Sequence, residues 1–515
     1  MDELILSIDC GTQSIRAMLF DKRGELVEKE KVRFEPYVSP QEGYAEQDPD
    51  LYWDKICLAI RGLKEKREDL FGSIIGVTVT CMRDVGICLD KDKKPLRPAI
   101  LWMDRRVARC AETMPLKSRF LFRISGMHDA VEKTRKDCKS NWIRENQPEI
   151  WKNTDKYVQL STYLNYKLSG NLIDSVAAMI GHIPFNYRAK RWMNPGHFQM
   201  PVFRTREEDK KEADRRFRFD LVEPGSVLGA ISPEAAAATG LPTGLPLIAS
   251  GSDKGCETIG TGAIYEDTAS LSFGTTSTIQ ITTERYVEPI QFLPAYPAVY
   301  PDRYNPEVMI TRGYWTLTWF IKEFVKRPED GSICWERHLD PLLDTVPPGS
   351  DGLYAEPYWG PSLKRPEARG ALIGFTEAHT RLHVYRALIE GINYGLIDGK
   401  RRLERKANVT VKKLMVSGGG AQSDPVCQIT ADMFNLPVMR VQTYETSGLG
   451  AAICAFVGLG RFPSYDAAID AMVHVGEVFE PDPQTAAVYD RLYRKLYVKS
   501  YPRLRPLFKI IKQFR

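Results

Sequence analysis

The sequence predicts a mixed α/β protein built of two homologous domains facing one another. Three observations predict it: a length of 515 residues, strand-like and helix-like runs that alternate from the N-terminus, and a short motif that recurs at a long interval. A chain this long exceeds one compact core, so two large domains are expected. Apolar content of 43% and charged content of 27% are those of a globular protein. The net charge of +5 is mixed in sign and not gathered into a basic block, so nucleic acid is not an expected partner.

The first element is a hairpin. "ILSIDCGTQSIRAMLFD" at 5–21 sets alternating apolar residues on either side of Asp9 and Gly11-Thr12-Gln13-Ser14. A two-residue hairpin is normally closed by Asn-Gly or Asp-Gly; this turn instead offers N–H groups and hydroxyls, which suit an anion. From these residues alone an ordinary hairpin fits equally. "ELVEKEKVRF" reads as a third strand, a Pro/Gly loop at 36–49 leads into an amphipathic helix over 50–70, and "SIIGVTVTCM" reads as a buried strand. Residues 130–170 read as helical, with Trp142, Trp151 and Tyr163 in the core. The segment 184–226 is polar and irregular, and the alternating acids and bases of 204–218 read as a solvated face. A new strand, "LPLIASGSD", begins at 245, which places the domain boundary between 245 and 246.

The second half opens as the first does. In "LSFGTTSTIQITTER" at 271–285, a shift of 263 residues puts Gly11 on Gly274, Thr12 on Thr275 and Ser14 on Ser277. Repetition on this scale implies two homologous domains, and two such turns on opposing domains would grip a polyphosphate from both sides. "KLMVSGGGAQSDPVCQITADMFNLPV" at 413–438 is a strand, three glycines and a helix starting near Ser423-Asp424-Pro425. Glycines there admit a flat ring or a phosphate close to the backbone, or else a tight packing turn. The pattern is neither GxGxxG nor GxxxxGK[ST], which disfavours Rossmann and P-loop folds.

"SGLGAAICAFVGLG" at 447–460 is too short to span a bilayer and reads as a closely packed buried helix. The basic amphipathic C-terminus reads as a helix packed on the second domain. Ten scattered cysteines form no CxxC pair and no zinc pattern, and no basic-apolar leader opens the chain. A reduced, cytoplasmic protein without a membrane partner is expected.

Six ordered motifs together resemble the FGGY carbohydrate kinases. They are "DCGTQSIRAMLFD" at 9–21, "LRPAILWMDRR" at 96–106, "SNWIRENQPEIW" at 140–151, "GSDKGCETIGTGA" at 251–263, "LSFGTTS" at 271–277 and "GGGAQSDPVCQITADMFNLPV" at 418–438. The resemblance implies two actin-like (ribonuclease H-like) ATPase domains around a central cleft, and transfer of the ATP γ-phosphate to a hydroxyl of a sugar, polyol or sugar acid with Mg²⁺. Asp253 matches the catalytic base; read without the resemblance, it fits a helix N-cap equally well. Asp9 matches the aspartate that holds Mg²⁺ through water, with Asp253 as a second carboxylate to the metal. Gly11, Thr12, Gln13 and Arg16 match the first phosphate loop, though Arg16 also reads as a surface strand charge. Gly274, Thr275 and Thr276 match the second loop. Gly418, Gly419, Gly420 and Ser423 match the adenosine region.

On the acceptor side, Met82-Arg83-Asp84 stands where ketopentose kinases of the family carry a Met-His-Gly-type element. It is closer to the Arg-Glu of glycerol kinases, or to the Met-Arg-Glu of kinases for small dicarbonyl-derived signals. Arg83 and Asp84 are either hydroxyl ligands or a mutual ion pair. Trp102 and Asp104 of "LWMDRR" are placed near the same pocket. Trp315, Trp319 and Trp359 read as core or pocket wall, and His128 and His182 carry little information alone. The expected acceptor is a small polyol or open-chain ketose such as xylulose or ribulose, phosphorylated on a terminal primary hydroxyl. A catalytically weak sugar-sensing member is the alternative. A homodimer is compatible with the sequence.

Overall fold

The computed structural model describes residues 3–110, 116–193, 215–291, 293–325, 338–360, 362 and 365–514. Residues 204–214 of the charged stretch and Cys334 lie outside them. The chain forms two compact units. The first comprises Met1–Gly260, Ile290–Tyr304 and Glu445–Val473, and the second Thr261–Pro289, Asn305–Tyr444 and His474–Arg515.

The first unit is built on six strands: β1 (Leu4–Cys10), β2 (Ser14–Phe20), β3 (Leu26–Arg33), β4 (Ile74–Cys81), β5 (Val227–Ala230) and β6 (Pro246–Ile248). Their order is β5-β6-β4-β1-β2-β3. β1 is buried along its whole length because both faces are covered. Leu4, Leu6 and Ile8 pack with Tyr52, Ile56 and Ile60 of helix Pro49–Lys66. On β1, Ser7 donates to the carbonyl of Gly448 in helix Thr446–Gly458. Helix Pro49–Lys66 starts where Asp48 accepts from the Asp50 N–H with Pro49 in the first turn, and ends on Lys64 and Lys66.

The second unit repeats the plan with β7 (Thr268–Phe273), β8 (Ser277–Ile281), β9 (Glu307–Ile310), β10 (Lys413–Ser417), β11 (Val438–Val441) and β12 (Val475–Phe479). Its order is β9-β8-β7-β10-β11-β12. Read from β3 in the first sheet and from β9 in the second, the pairings are antiparallel, antiparallel, parallel, parallel and antiparallel in both. The repeat is therefore a repeat of topology. It is not one of register. Asp9 pairs with Arg16, so a 263-residue shift would set Ile279 opposite Ser272, yet Thr278 stands there. The second turn holds three residues, 274–276, where the first holds four, 11–14.

The units divide the chain differently from a cut at 245. β6 pairs in parallel with β4, and the helix Asp253–Gly260 lies backbone to backbone on Thr446–Gly458. A Cβ on Gly260 would stand 2.0 Å from the Thr446 carbonyl oxygen, and one on Gly450 1.9 Å from that of Cys256. Asp253 thus belongs to the unit that carries Asp9. The helical reading of 130–170 needs a second correction: the strand Lys156–Gln159 interrupts it, drawn into pairing with Gly86–Leu89. The C-terminal helix Val498–Ile511 belongs to the second unit, with Ser500 and Phe508 buried. Among the described residues no helix is long and apolar enough to cross a membrane.

Candidate active site

In the first unit, Asp9 is the last residue but one of β1 and is only 8% exposed. Arg16, directly across the hairpin, donates from Nη1 to its Oδ2 at 2.7 Å, and Arg16 Nε lies 3.3 Å from Glu445 Oε2. Burial pushes the Asp9 carboxyl up to about 6; Arg16 opposes this, while the charges of Asp253 and Glu445 add to it. Arg16 is accordingly held between two carboxylates, and is more than a surface strand charge. The turn itself is partly closed, since the Gly11 N–H donates to the Ser14 carbonyl at 3.1 Å. Gln13 is exposed at its tip. The Thr12 hydroxyl accepts from Trp102 Nε1 at 3.2 Å and lies 3.5 Å from Met82 Sδ.

Asp253 is the first residue of its helix, but it is not the cap. Ser252 is: its Oγ accepts the Gly255 N–H at 3.2 Å. Thr80 and Ser250 fasten the approach to the helix onto β4, by bonds to the carbonyls of Gly251 and Val79. The Asp253 carboxylate accepts from the Lys254 N–H at 2.8 Å. Burial raises its pKa, with the Arg83 and Lys254 charges opposing. Arg83 stands over the Tyr296 ring at 5.2 Å, and Tyr187 meets Tyr296 edge-on at 5.5 Å. Asp84 is paired, though not with Arg83. His182 holds it, through its N–H at 2.9 Å and its Nδ1 at 2.7 Å.

Asp104 departs from its expected place beside the acceptor. Its side chain is fully enclosed, gripped by the Arg106 guanidinium at 2.7 Å and by the Ala45 N–H at 2.7 Å. Arg106 in turn lies between Tyr44 and Trp142, 3.9 and 4.6 Å from their rings. The carboxylate has no free face for a ligand and is a structural anchor.

In the second unit, Thr275 is exposed at the tip of the β7–β8 turn, with Gly274 and Thr276 partly exposed beside it. The Gly274 carbonyl accepts the Tyr314 N–H at 3.0 Å. Gly418 follows β10 at φ +84°, a conformation that favours glycine, and a Cβ there would meet the Phe273 carbonyl oxygen at 2.9 Å. A Cβ on Gly420 would strike the Tyr314 ring at 2.3 Å, whereas one on Gly419 would meet nothing within 4 Å. Ser423 caps the helix Asp424–Phe434 by accepting the Val426 N–H. Packing thus accounts for Gly418 and Gly420, and only Gly419 stands open.

Both halves of the chain match one family. Residues 4–260 match the N-terminal domain of the FGGY family of carbohydrate kinases, and residues 269–459 match its C-terminal domain. The chain belongs to this family. As an FGGY member it is a carbohydrate kinase, and membership implies use of ATP. It is 28% identical to the uncharacterized sugar kinase YgcE of Escherichia coli (strain K12), over 96% of this chain and 92% of that one. It is 29% identical to the xylulose kinase of Lactococcus lactis, over 95% of each chain. The structure of a gluconate kinase from Lactobacillus acidophilus superposes with a TM-score of 0.82 at 23% identity, covering 99% of this FGGY chain and 100% of the other.

Sequence reasoning had no means of finding Tyr187, Tyr296 or Glu445. Residues 290–304 and 445–473 return to the first unit from far along the chain, and no local pattern announces that. His182 was visible only as a lone histidine.

Proposed function

We propose that this kinase transfers the ATP γ-phosphoryl group to a terminal primary hydroxyl of a small linear polyol or open-chain ketose. The observation that carries the reading is Asp253: a half-buried carboxylate freed from capping by Ser252, its pKa raised, within reach of the Arg83 charge. A base of raised pKa hydrogen-bonds the attacking hydroxyl, orients it and takes its proton as the new O–P bond forms. Arg83 remains cationic and donates to oxygens further along the acceptor, with Met82 and Trp102 as its apolar wall. The turn Gly11-Thr12-Gln13, with Arg16, and the turn Gly274-Thr275-Thr276 are assigned to the phosphates. Gly418, Gly419, Gly420 and Ser423 are assigned to the nucleoside.

The carboxylates suit Mg²⁺. Asp253 and Glu445 both push the Asp9 pKa up, the mark of an anionic cluster that a cation would relieve. Mg²⁺ usually keeps several waters and takes phosphate oxygens, so one or two carboxylates are a fitting protein share. Asp9 and Asp253 would hold it, and when bound it neutralises phosphate charge.

The relatives named above include kinases of a ketopentose and of a sugar acid, both able to present an open chain. Trioses, tetritols, pentitols, ketopentoses, aldonates and pyranose hexoses, each tested with purified protein and ATP, decide the acceptor. Turnover is expected with the short open-chain compounds and not with glucose. Asp253→Asn is expected to lower turnover by about 10²-fold while ATP binding and the melting temperature stay near wild type. Efficient use of glucose, or an Asp253→Asn variant retaining half of its turnover, sinks the reading.

A further inference from the structure

The pair Asp84–His182 is built with more care than an incidental ion pair requires. Asp84 sits at φ +56°, with its N–H on the Ile180 carbonyl at 3.1 Å. Gly181 lets that segment lie flat against it, because a Cβ at 181 would stand 2.6 Å from Asp84 Oδ1. Tyr187 clamps Gly181 from the other side, donating to its carbonyl at 2.8 Å and accepting its N–H at 3.1 Å. Both Asp84 oxygens are then spent on His182.

The consequence falls on the imidazole. Asp84 is an acceptor, so Nδ1 carries the proton it receives, and Nε2 is left as the outward nitrogen. The His182 side chain is 32% exposed, and among the described residues Nε2 has no hydrogen-bond partner. Tyr187, bonded to Gly181, and Tyr296 connect this segment to Arg83, the cation whose charge reaches Asp253.

We propose that His182 is the acceptor-binding residue at this position, presenting Nε2 to an acceptor oxygen, and that Asp84 is a positioning residue acting through it. The proposal rests on the function proposed above and narrows it: the acceptor carries, some way from the hydroxyl that is phosphorylated, a carbonyl or hydroxyl oxygen that hydrogen-bonds Nε2 of His182. Burial pulls the His182 pKa down, but the charge and hydrogen bond of Asp84, with Asp137 behind them, outweigh it and the opposing Lys139, so the net direction is up. Nε2 is a donor while the ring is protonated, and acceptor affinity falls as pH rises through the raised value.

Two substitutions separate this role from a structural one. His182→Asn keeps an amide near Nδ1 for Asp84 and loses the outer nitrogen, whereas His182→Gln places its amide near Nε2 and gives up the Asp84 bond. With the compound wild type phosphorylates best, His182→Asn should raise the acceptor KM about ten-fold, with the KM for ATP within two-fold. His182→Gln should recover most of the loss. The reverse order, Asn benign and Gln damaging, means that His182 only props Asp84 and overturns the proposal. A second readout needs no acceptor: the His182 ring resonance in NMR should titrate above the ordinary histidine value, and at lower pH in Asp84→Asn. A midpoint unmoved by Asp84→Asn overturns the proposal even if no acceptor is found, an outcome that would by itself sink only the proposed acceptor class.

Discussion

The Trp102 indole donates to the Thr12 hydroxyl at 3.2 Å across 90 residues of chain, and the same hydroxyl lies 3.5 Å from Met82 Sδ. One threonine thus ties the turn assigned to phosphate to the residues assigned to the acceptor wall. Trp102→Phe keeps the ring and removes the donor. It should cost about 1 kcal/mol of stability and raise the acceptor KM about five-fold. Adding Thr12→Val to it should restore stability, because both partners are then apolar. Denaturant unfolding of the two single variants and the double variant checks this; strictly additive losses would mean that the bond carries no energy.

Gly419 and Gly420 are adjacent but should behave oppositely. A side chain at 420 collides with Tyr314, while 419 faces open space. Gly420→Ala is expected to lower the melting temperature. Gly419→Val should leave melting unchanged and weaken ATP about ten-fold or more, if the nucleoside lies against that backbone. Calorimetric titration with ATP, paired with thermal melts, tells them apart. Unchanged ATP affinity in Gly419→Val would remove this turn from the nucleotide site.

Asp84 makes the acid limb of stability predictable. Burial raises its pKa, but the charge and hydrogen bonds of His182 win and hold it at about 2, below the ordinary carboxylate value. A depressed carboxyl contributes stability above its unfolded pKa and loses it as pH falls toward the folded value. Asp84→Asn should therefore cost about 2 kcal/mol at pH 6, with the difference from wild type shrinking between about pH 4 and 2. Asparagine tolerates the positive φ, so the backbone itself is not strained. A pH-independent difference would contradict the ion-pair reading.

The contact between the helices at 253–260 and 446–458 leaves no room for growth. Gly450→Ala would press a methyl group into the Cys256 carbonyl and within 2.7 Å of Ile259 Cγ2. A loss of about 3 kcal/mol is expected, in the range of core overpacking. Because the helix it presses against carries Asp253, turnover should fall as well. A variant of wild-type stability would show that the two helices separate freely.

The sequence by itself determined the elements, their repetition and the chemistry of the family. Alternating apolar residues around Asp9, the recurrence of Gly-Thr-x-Ser and the Gly-Gly-Gly turn are local patterns, and local patterns follow from backbone sterics and burial. They single out Asp9 and Asp253, which lie near the end of a strand and at the start of a helix. Only the tertiary structure decided which partner each charged group takes. Asp104 and Arg106 are two residues apart and close on each other, so that Asp104 leaves the acceptor side, while Asp84 passes over its neighbour Arg83 for His182. It also decided that Asp253 shares a unit with Asp9, and that Ser252 takes the capping role. The reason is physical. A buried charge must be satisfied by whatever the fold brings within about 3 Å, and distance along the chain has no bearing on that requirement.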